Sequence, residues 1–451
     1  MTHLNQAEMN MVLINGTDRN ETLAGGSAGD VIKGFAGDDV IRGFAGDDTL
    51  FGGFGNNILD GGSQIDTASY AGSLNNVIAS LETGNATFFG GSDTFISIEN
   101  LIGSENADVL TGNLLNNKLE GGAGGDQIFG GSGFDGLQGG DGIDVLDGGD
   151  GHDAIRGDKG NDTMIGGNGD DSFAWFDGDG SDVIRGDAGD DHLDFTGSTS
   201  TKEGDHITLN PVGSEVLLQR TAPTPINIRT QGIETFQISG VEGDDVFIVK
   251  DLGLASGVQS IGFNGGDGND RMEVTFTSVA FDVNGGNGND SLVGANFNDT
   301  LTGGQGSDIL LGGAGDDKLT GATSLNRGQG EIDVLVGGVG RDKFVLGENG
   351  QTFYDDGNGL TDGDAINFFQ GIDGTGDFAR IIDFRASEDV IQLGGSRSSY
   401  ELRTINNSLI GGSSAPDIGI FKRDLPNELI GIVQDAPTTL NLASSTQFTF
   451  V

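Results

Sequence analysis

Carboxylates on a nine-residue beat are the groups in this chain with the types and spacing to do chemistry. In "GGSAGDVIKGFAGDDVIRGFAGDDTLFGG", Gly25 to Gly53, an aspartate recurs every nine residues at Asp30, Asp39 and Asp48, and an aliphatic residue (Ile32, Ile41, Leu50) stands two places after each. Hard oxygen ligands repeated at constant spacing suit a hard divalent cation such as Ca²⁺. A flexible linker rich in glycine needs no register, because its residues could be exchanged without consequence. An isolated Asp in a glycine-rich turn is an ordinary turn residue, so the length of the register carries the specificity.

The register runs in three blocks. Over residues 16 to 69 the sixth position of the unit holds Glu21, Asp30, Asp39, Asp48, Asn57 and Asp66. From Gly103 to Ala174 it holds Asp108, Asn117, Asp126, Asp135, Asp144, Asp153, Asp162 and Asp171, with Leu110, Leu119, Ile128, Leu137, Leu146, Ile155, Met164 and Phe173 at the eighth. A two-residue slip around Trp175 to Asp179 precedes Asp182 and Asp191. The third block opens with Asp245, Asp270 and Asp290, 25 and 20 residues apart, a spacing that predicts wider coils with an added strand. Asp299, Asp308 and Asp317 return to nine, and after the insertion "GATSLNRGQGE" Asp333 and Asp342 close the array.

The unit reads Gly-Gly-x-Gly-x-Asp-x-(apolar)-x. Its glycines permit a tight six-residue turn with inward carbonyls, and its last three residues form a short strand with one inward side chain. One buried apolar residue in nine is too little to offset the entropy of ordering the rest. Stacked parallel strands supply part of the difference, as in solenoids. Stacked turns bring like charges together, which is unfavourable, so a cation must complete the fold. Ca²⁺ accepts six to eight oxygens in flexible geometry, whereas Mg²⁺ demands a compact octahedron and keeps its waters.

Composition agrees. The 451 residues include 84 glycines, 6 prolines, no cysteine, 22 basic and 69 acidic residues, for a formal charge of −47. Such acidity excludes nucleic acid and anionic membrane surfaces as partners, since both require clustered Lys and Arg. About twenty calcium ions would carry about +40, so the acidity reads as metal-binding capacity. Without metal the same composition is that of a disordered chain. No stretch approaches the roughly 18 apolar residues of a membrane span, and the opening "MTHLNQAEMNMVLINGT" lacks the basic and apolar regions of an export signal.

These signals predict an all-β chain: solenoid blocks of parallel β-roll at 16–69, 103–194 and 240–345, a leader at 1–15, β spacers at 70–102 and 195–239, and a β-rich C-terminal region at 346–451. Strands are expected at "HITLN", "EVLLQ", "INIR" and "ETFQI" in the second spacer, and at "ARIIDF", "DVIQL", "SYELRTI", "IGIF" and "LIGIVQ" in the C-terminal region. No sustained 3.6-residue apolar period argues for helix.

The units "GGSAGDVIK", "GGNGDDSFA", "GGAGDDKLT" and "GGNGNDSLV" resemble the RTX nonapeptide, the haemolysin-type calcium-binding repeat. The spacer "DTASYAGSLNNVIASLETGNA" resembles those between RTX blocks. The C-terminal stretches "IIDFRASEDVIQLGGS" and "LIGIVQ" resemble secreted RTX proteins from cyanobacteria. The resemblance implies a β-roll whose consecutive units alternate sides, with eighteen residues to a coil. It implies calcium between turns two units apart, held by the sixth-position Asp and backbone carbonyls; Glu21, Asn57 and Asn117 would mark weaker or absent sites. It further implies export through a type I ABC secretion apparatus by an uncleaved C-terminal signal, with folding outside the cell.

Catalytic patterns do not survive their context. His3, His152, His192 and His206 form no HExxH motif. "GGSAG" (Gly25 to Gly29) and "GSGFDG" (Gly131 to Gly136) fit G-x-S-x-G and G-x-G-x-x-G only as fragments of the repeat. "DGDGSD" (Asp177 to Asp182) lacks the sixth-position Gly and twelfth-position Glu of an EF-hand. The sequence therefore reads as a non-catalytic, secreted calcium-binding protein with a cell-surface, matrix or glycan-adhesive role. The competing reading is a hydrolase whose site lies in the non-repeat segments.

Overall fold

Short strands stacked in parallel, each separated by a tight glycine turn, build this chain. The computed structural model describes residues 11–199, 203–253, 256–275, 279–323, 331–349, 351–354, 378–405, 416–423, 429–436 and 439–451. Nearly all regular structure is β: among the described residues the one helical element is the 3-10 turn Arg397–Ser399, and no helix is long and apolar enough to cross a membrane. The expected leader falls mostly outside the described residues, as do much of the "GATSLNRGQGE" insertion and "YDDGNG" after Tyr354.

The chain divides into two compact units, Met1–Phe195 with Ile226–Glu234, and Thr196–Pro225 with Thr235–Val451. In the first unit, strands alternate between two sheets and pair with the strand eighteen residues on. Ile32 lies beside Leu50, Leu119 beside Leu137 and Leu137 beside Ile155 in one sheet, and Leu110 beside Ile128 and Ile128 beside Leu146 in the other. The two-residue slip appears as a twenty-residue step, Met164 beside Ile184. One coil is therefore two repeats. Every eighth-position residue points between the sheets; Ile32, Ile41, Leu50, Leu110, Leu146 and Ile184 are fully buried, which is how one apolar residue per repeat becomes a continuous core.

The first spacer is threaded through the same stack. Thr67–Ser69 pairs directly with Asn100–Ile102 in parallel. In the other sheet Asn85–Phe88 runs antiparallel between Val77–Ser80 and Gly91–Ile96. Those two outer strands pair in parallel with the block after and the block before, respectively. The spacer thus joins the two blocks without breaking the ladder.

In the second unit the first two expected spacer strands, His206–Val212 and Glu215–Arg220, pair antiparallel, and the other two are Ile226–Gln231, in the first unit, and Thr235–Glu242. The irregular spacings are wider coils, with steps of 25 residues (Phe247 beside Met272; Leu310 beside Leu335) and 20 (Arg271 beside Ser291). The added strand expected there is not found among the described residues: Ser260–Asp267 is the single strand between Val246–Val249 and Arg271–Val274, so the extra length lies in the connections. The C-terminal strands also stack on the roll. Lys343–Val345 pairs in parallel with Val390–Leu393, which pairs in turn with Phe448–Phe450, and Phe378–Ile381 extends the sheet of Ile332–Val339. Asp417–Lys422 lies antiparallel between Tyr400–Ile405 and Leu429–Val433.

Candidate metal centre

The strand geometry aims each sixth-position side chain into the turn, and the turn buries it. Asp30, Asp39, Asp48, Asp66, Asp108, Asp126, Asp135, Asp144, Asp153, Asp162, Asp171, Asp182 and Asp191 are all buried, as are Asp245, Asp270, Asp290, Asp299, Asp308, Asp317, Asp333 and Asp342. Burial of that many carboxylates requires partners.

One oxygen of each has a partner. At most of them Oδ1 accepts the backbone N–H of the sixth-position residue one coil earlier: Asp126 N–H to Asp144 Oδ1 at 2.7 Å, Asp135 to Asp153 at 2.8 Å, Asp270 to Asp290 at 2.8 Å; at Asp108 and Asp299 the donors are Val77 and Phe281. The same bond spans the longer coils, from Asp162 to Asp182 and from Asp308 to Asp333. These bonds fix the carboxylates in files down the roll.

The second oxygen divides the sites into two kinds, Asp333 apart, whose Oδ2 accepts from the Tyr354 hydroxyl. Among the described residues, Oδ2 is buried without a hydrogen-bond partner at seventeen repeat aspartates: Asp39, Asp48, Asp66, Asp126, Asp135, Asp144, Asp153, Asp162, Asp171, Asp182, Asp191, Asp245, Asp270, Asp290, Asp308, Asp317 and Asp342. At all of these the second residue of the unit has a positive φ. It is glycine in most, such as Gly122 (110°) and Gly131 (110°), but Phe35 (75°), Phe44 (76°), Asp158 (62°), Asp187 (68°) and Val241 (86°) take the same conformation.

Where the second residue is not left-handed, its N–H closes the turn. Gly26 donates to Asp30 Oδ2 at 2.7 Å, Ser104 to Asp108 at 2.5 Å and Ala295 to Asp299 at 2.7 Å. Asp389, outside the nine-residue register, is closed likewise by Arg385 at 2.5 Å. Two of the departures from Asp also close on themselves: Thr17 N–H donates to Glu21 Oε2 at 2.5 Å and Asn113 N–H to Asn117 Oδ1 at 2.8 Å. Asn57 instead donates through its amide to Asp93 Oδ1 at 2.8 Å.

The open turns form a cradle for a cation. A Cβ added at Gly34 would lie 2.5 Å from Asp39 Oδ2 and 2.6 Å from the Gly52 carbonyl oxygen, and one at Gly130 would lie 2.6 Å from both Asp135 Oδ2 and the Gly148 carbonyl oxygen. A partnerless carboxylate oxygen and a carbonyl oxygen from the next coil thus converge on space that only glycine leaves free. No cluster of three or more acidic or histidine side chains occurs among the described residues, so the donor set is carboxylate plus backbone carbonyl. That set suits Ca²⁺, which accepts main-chain oxygens.

Without a cation, ionised carboxylates here are disfavoured. Burial, reinforced by neighbouring carboxylates and opposed by the backbone N–H bond, pushes Asp126, Asp162, Asp171, Asp270 and Asp317 up to about 7 and Asp245 and Asp308 up to about 8. Burial, against the backbone bond and with Asp179 adding to it, raises Asp182 to about 7 as well.

Three buried aspartates on the same files escaped sequence reasoning: Asp93, Asp205 and Asp389. Each is followed two places later by an apolar residue (Phe95, Ile207, Ile391); Asp205 and Asp389 lie off the nine-residue register, and Asp93, 27 residues after Asp66, keeps the beat inside a segment without the glycine repeat.

With this geometry in hand, comparison by family is informative. The RTX calcium-binding nonapeptide repeat matches residues 15–43, 41–68, 102–137, 138–173, 176–197 and 284–319. Over these residues the chain carries RTX repeats of a calcium-binding class, folded as a parallel β-roll. A comparison with curated proteins found no match.

Proposed function

We propose that this protein binds many calcium ions at its open turns and uses them as the switch for folding outside the cell, where it serves a non-catalytic matrix, cell-surface or adhesive role. The observation that carries this reading is the file of buried, partnerless Oδ2 atoms, many of them, as at Asp39, Asp135 and Asp290, beside a carbonyl oxygen of the next coil. Bound calcium supplies the positive charge and the oxygen coordination that these groups lack. The chain's own part is to hold Oδ1 in the ladder, to turn the second residue's N–H away, and to keep the first position free of a side chain.

Export in an unfolded, calcium-poor state through a type I apparatus fits a chain of charge −47, since ions that bind only the native state fold it by mass action once calcium is abundant. A structural role for the carboxylates is supported by their burial, which keeps them from any substrate. An adhesive role is supported by an apolar cavity of about 460 Å³ in the first unit, lined by Phe35, Phe51, Phe54 and Phe88.

Two substitutions test the assignment. Asp308→Asn, in an open turn, is expected to lower the calcium bound at saturation by about one ion per chain, read by equilibrium dialysis. Asp299→Asn, in a closed turn, is expected to leave the count unchanged while weakening the turn by about 1 kcal/mol. Equal losses of calcium in the two variants, or none in either, would refute the division into open and closed turns.

A further inference from the structure

Two buried aspartates on the files, Asp333 and Asp93, have an Oδ2 whose partner is a tyrosine hydroxyl from an irregular segment, and a third, Asp205, whose turn is closed on Oδ2 by the Ser198 N–H, carries on Oδ1 a buried guanidinium from the second spacer. Asp205 lies under Arg220, from the second spacer. Its Oδ1 accepts from Arg220 Nη1 at 3.3 Å, its Oδ2 accepts from the Ser198 N–H at 2.7 Å, and both charged side chains are completely buried. Arg220 Nε is held by the Thr224 carbonyl at 3.0 Å. Asp333 lies under Tyr354, from the C-terminal region. The Tyr354 hydroxyl donates to Asp333 Oδ2 and accepts from the Ala322 N–H at 3.1 Å. A Cβ at Gly321 would meet that hydroxyl and Asp333 Oδ2 together, so the phenol occupies the cradle. Asp93 lies under Tyr70, at the start of the first spacer. Its Oδ2 accepts from the Tyr70 hydroxyl at 2.9 Å and its Oδ1 from Asn57 Nδ2 at 2.8 Å. A Cβ at Gly52 would lie 2.6 Å from that Asn57 nitrogen and 2.7 Å from Asp93 Oδ2.

We propose that Tyr354 and Tyr70 stand in for calcium at Asp333 and Asp93, and that Arg220 neutralises the closed turn at Asp205, so that the irregular segments are calcium-independent junctions from which the calcium-dependent runs fold. A guanidinium delivers to Asp205 the charge and directed donors that an ion delivers elsewhere. A phenol delivers the hydrogen bond without the charge, and removes the partnerless oxygen that makes the open turns costly when metal-free. Interruptions of the repeat are then functional: each supplies a coil that is satisfied before calcium arrives, and a formed coil spares the next one the cost of nucleation.

The inference rests on the calcium reading above, and hydrogen exchange on the full chain separates the two. At a calcium concentration below the folding midpoint, the amides of Ser198 and Ala322, which close on Asp205 and on the Tyr354 hydroxyl, are expected to be at least tenfold better protected than those of Asp126, Asp135 and Asp144. Protection that arises at all of these amides together would overturn the junctions and leave the calcium reading intact. Protection independent of calcium everywhere would overturn both. Tyr354→Phe keeps the ring and removes the donor; it is expected to raise the calcium bound at saturation by about one ion per chain, and an unchanged count would show that the phenol does not occupy a calcium position.

Discussion

In a chelator, the metal-free chain is expected to gain β structure as the pH is lowered from about 8 to about 5, the reverse of ordinary acid denaturation. The cause lies in the open turns, where burial raises the carboxyls from 3.8 to about 6 at Asp66 and Asp135, about 7 at Asp126 and Asp162, and about 8 at Asp245 and Asp308. A group whose pKa is higher folded than unfolded binds its proton preferentially in the folded state. Its stabilisation is fully present below the unfolded value and is lost as the pH climbs through the folded one. The window therefore runs from 3.8 to about 8, and protonation across it also relieves the self-repulsion of a −47 chain. With calcium present the sign inverts, because protons compete for the same oxygens, so the calcium midpoint should rise on acidification. Far-UV circular dichroism at the two pH values, in chelator, checks the first effect; a β signal that falls on acidification would contradict it.

A single methyl group should be enough to abolish a site. Gly130→Ala places a Cβ 2.6 Å from both Asp135 Oδ2 and the Gly148 carbonyl, and the carbonyl is part of a ladder and cannot retreat. The expected result is loss of one bound ion and destabilisation of about 2 kcal/mol or more in calcium, read from denaturant unfolding. Gly136→Ala is the control in the same repeat: its Cβ would meet nothing closer than Lys118 Cγ at 3.9 Å, so a change within about 0.5 kcal/mol is expected. Equal effects at the two glycines would remove the cradle from the account.

The parts of this fold that repeat were legible in the sequence, because register is physical information: an Asp and an aliphatic residue two places apart already determine which side chain enters the turn and which the core. The second residue of the unit does not reveal the state of its turn. Glycine at the second position does not ensure an open turn, since Gly26 closes on Asp30, and a bulky residue does not prevent one, since Phe35 and Phe44 are left-handed. The state follows the fourth residue instead, which is glycine at every open turn except that of Asp66 (Gln64) and is Ala28, Asn106 or Phe297 at the closed turns of Asp30, Asp108 and Asp299. Asp205 and Asp93 were hidden, as their partners Arg220 and Tyr70 come from segments with no periodicity. The continuation of the stack into the C-terminal region was equally hidden, because Lys343 and Val390 pair across 47 residues of which none keeps the nine-residue beat.

Calcium as the completing ligand of the open turns is the central claim, and the most direct test is a calcium titration of the full chain at neutral pH, from chelator to about 10 mM, followed by far-UV circular dichroism with magnesium in parallel. A cooperative rise in β signal with calcium and none with magnesium is the predicted result. A chain that is fully β in chelator, or that responds to both ions alike, would contradict the claim.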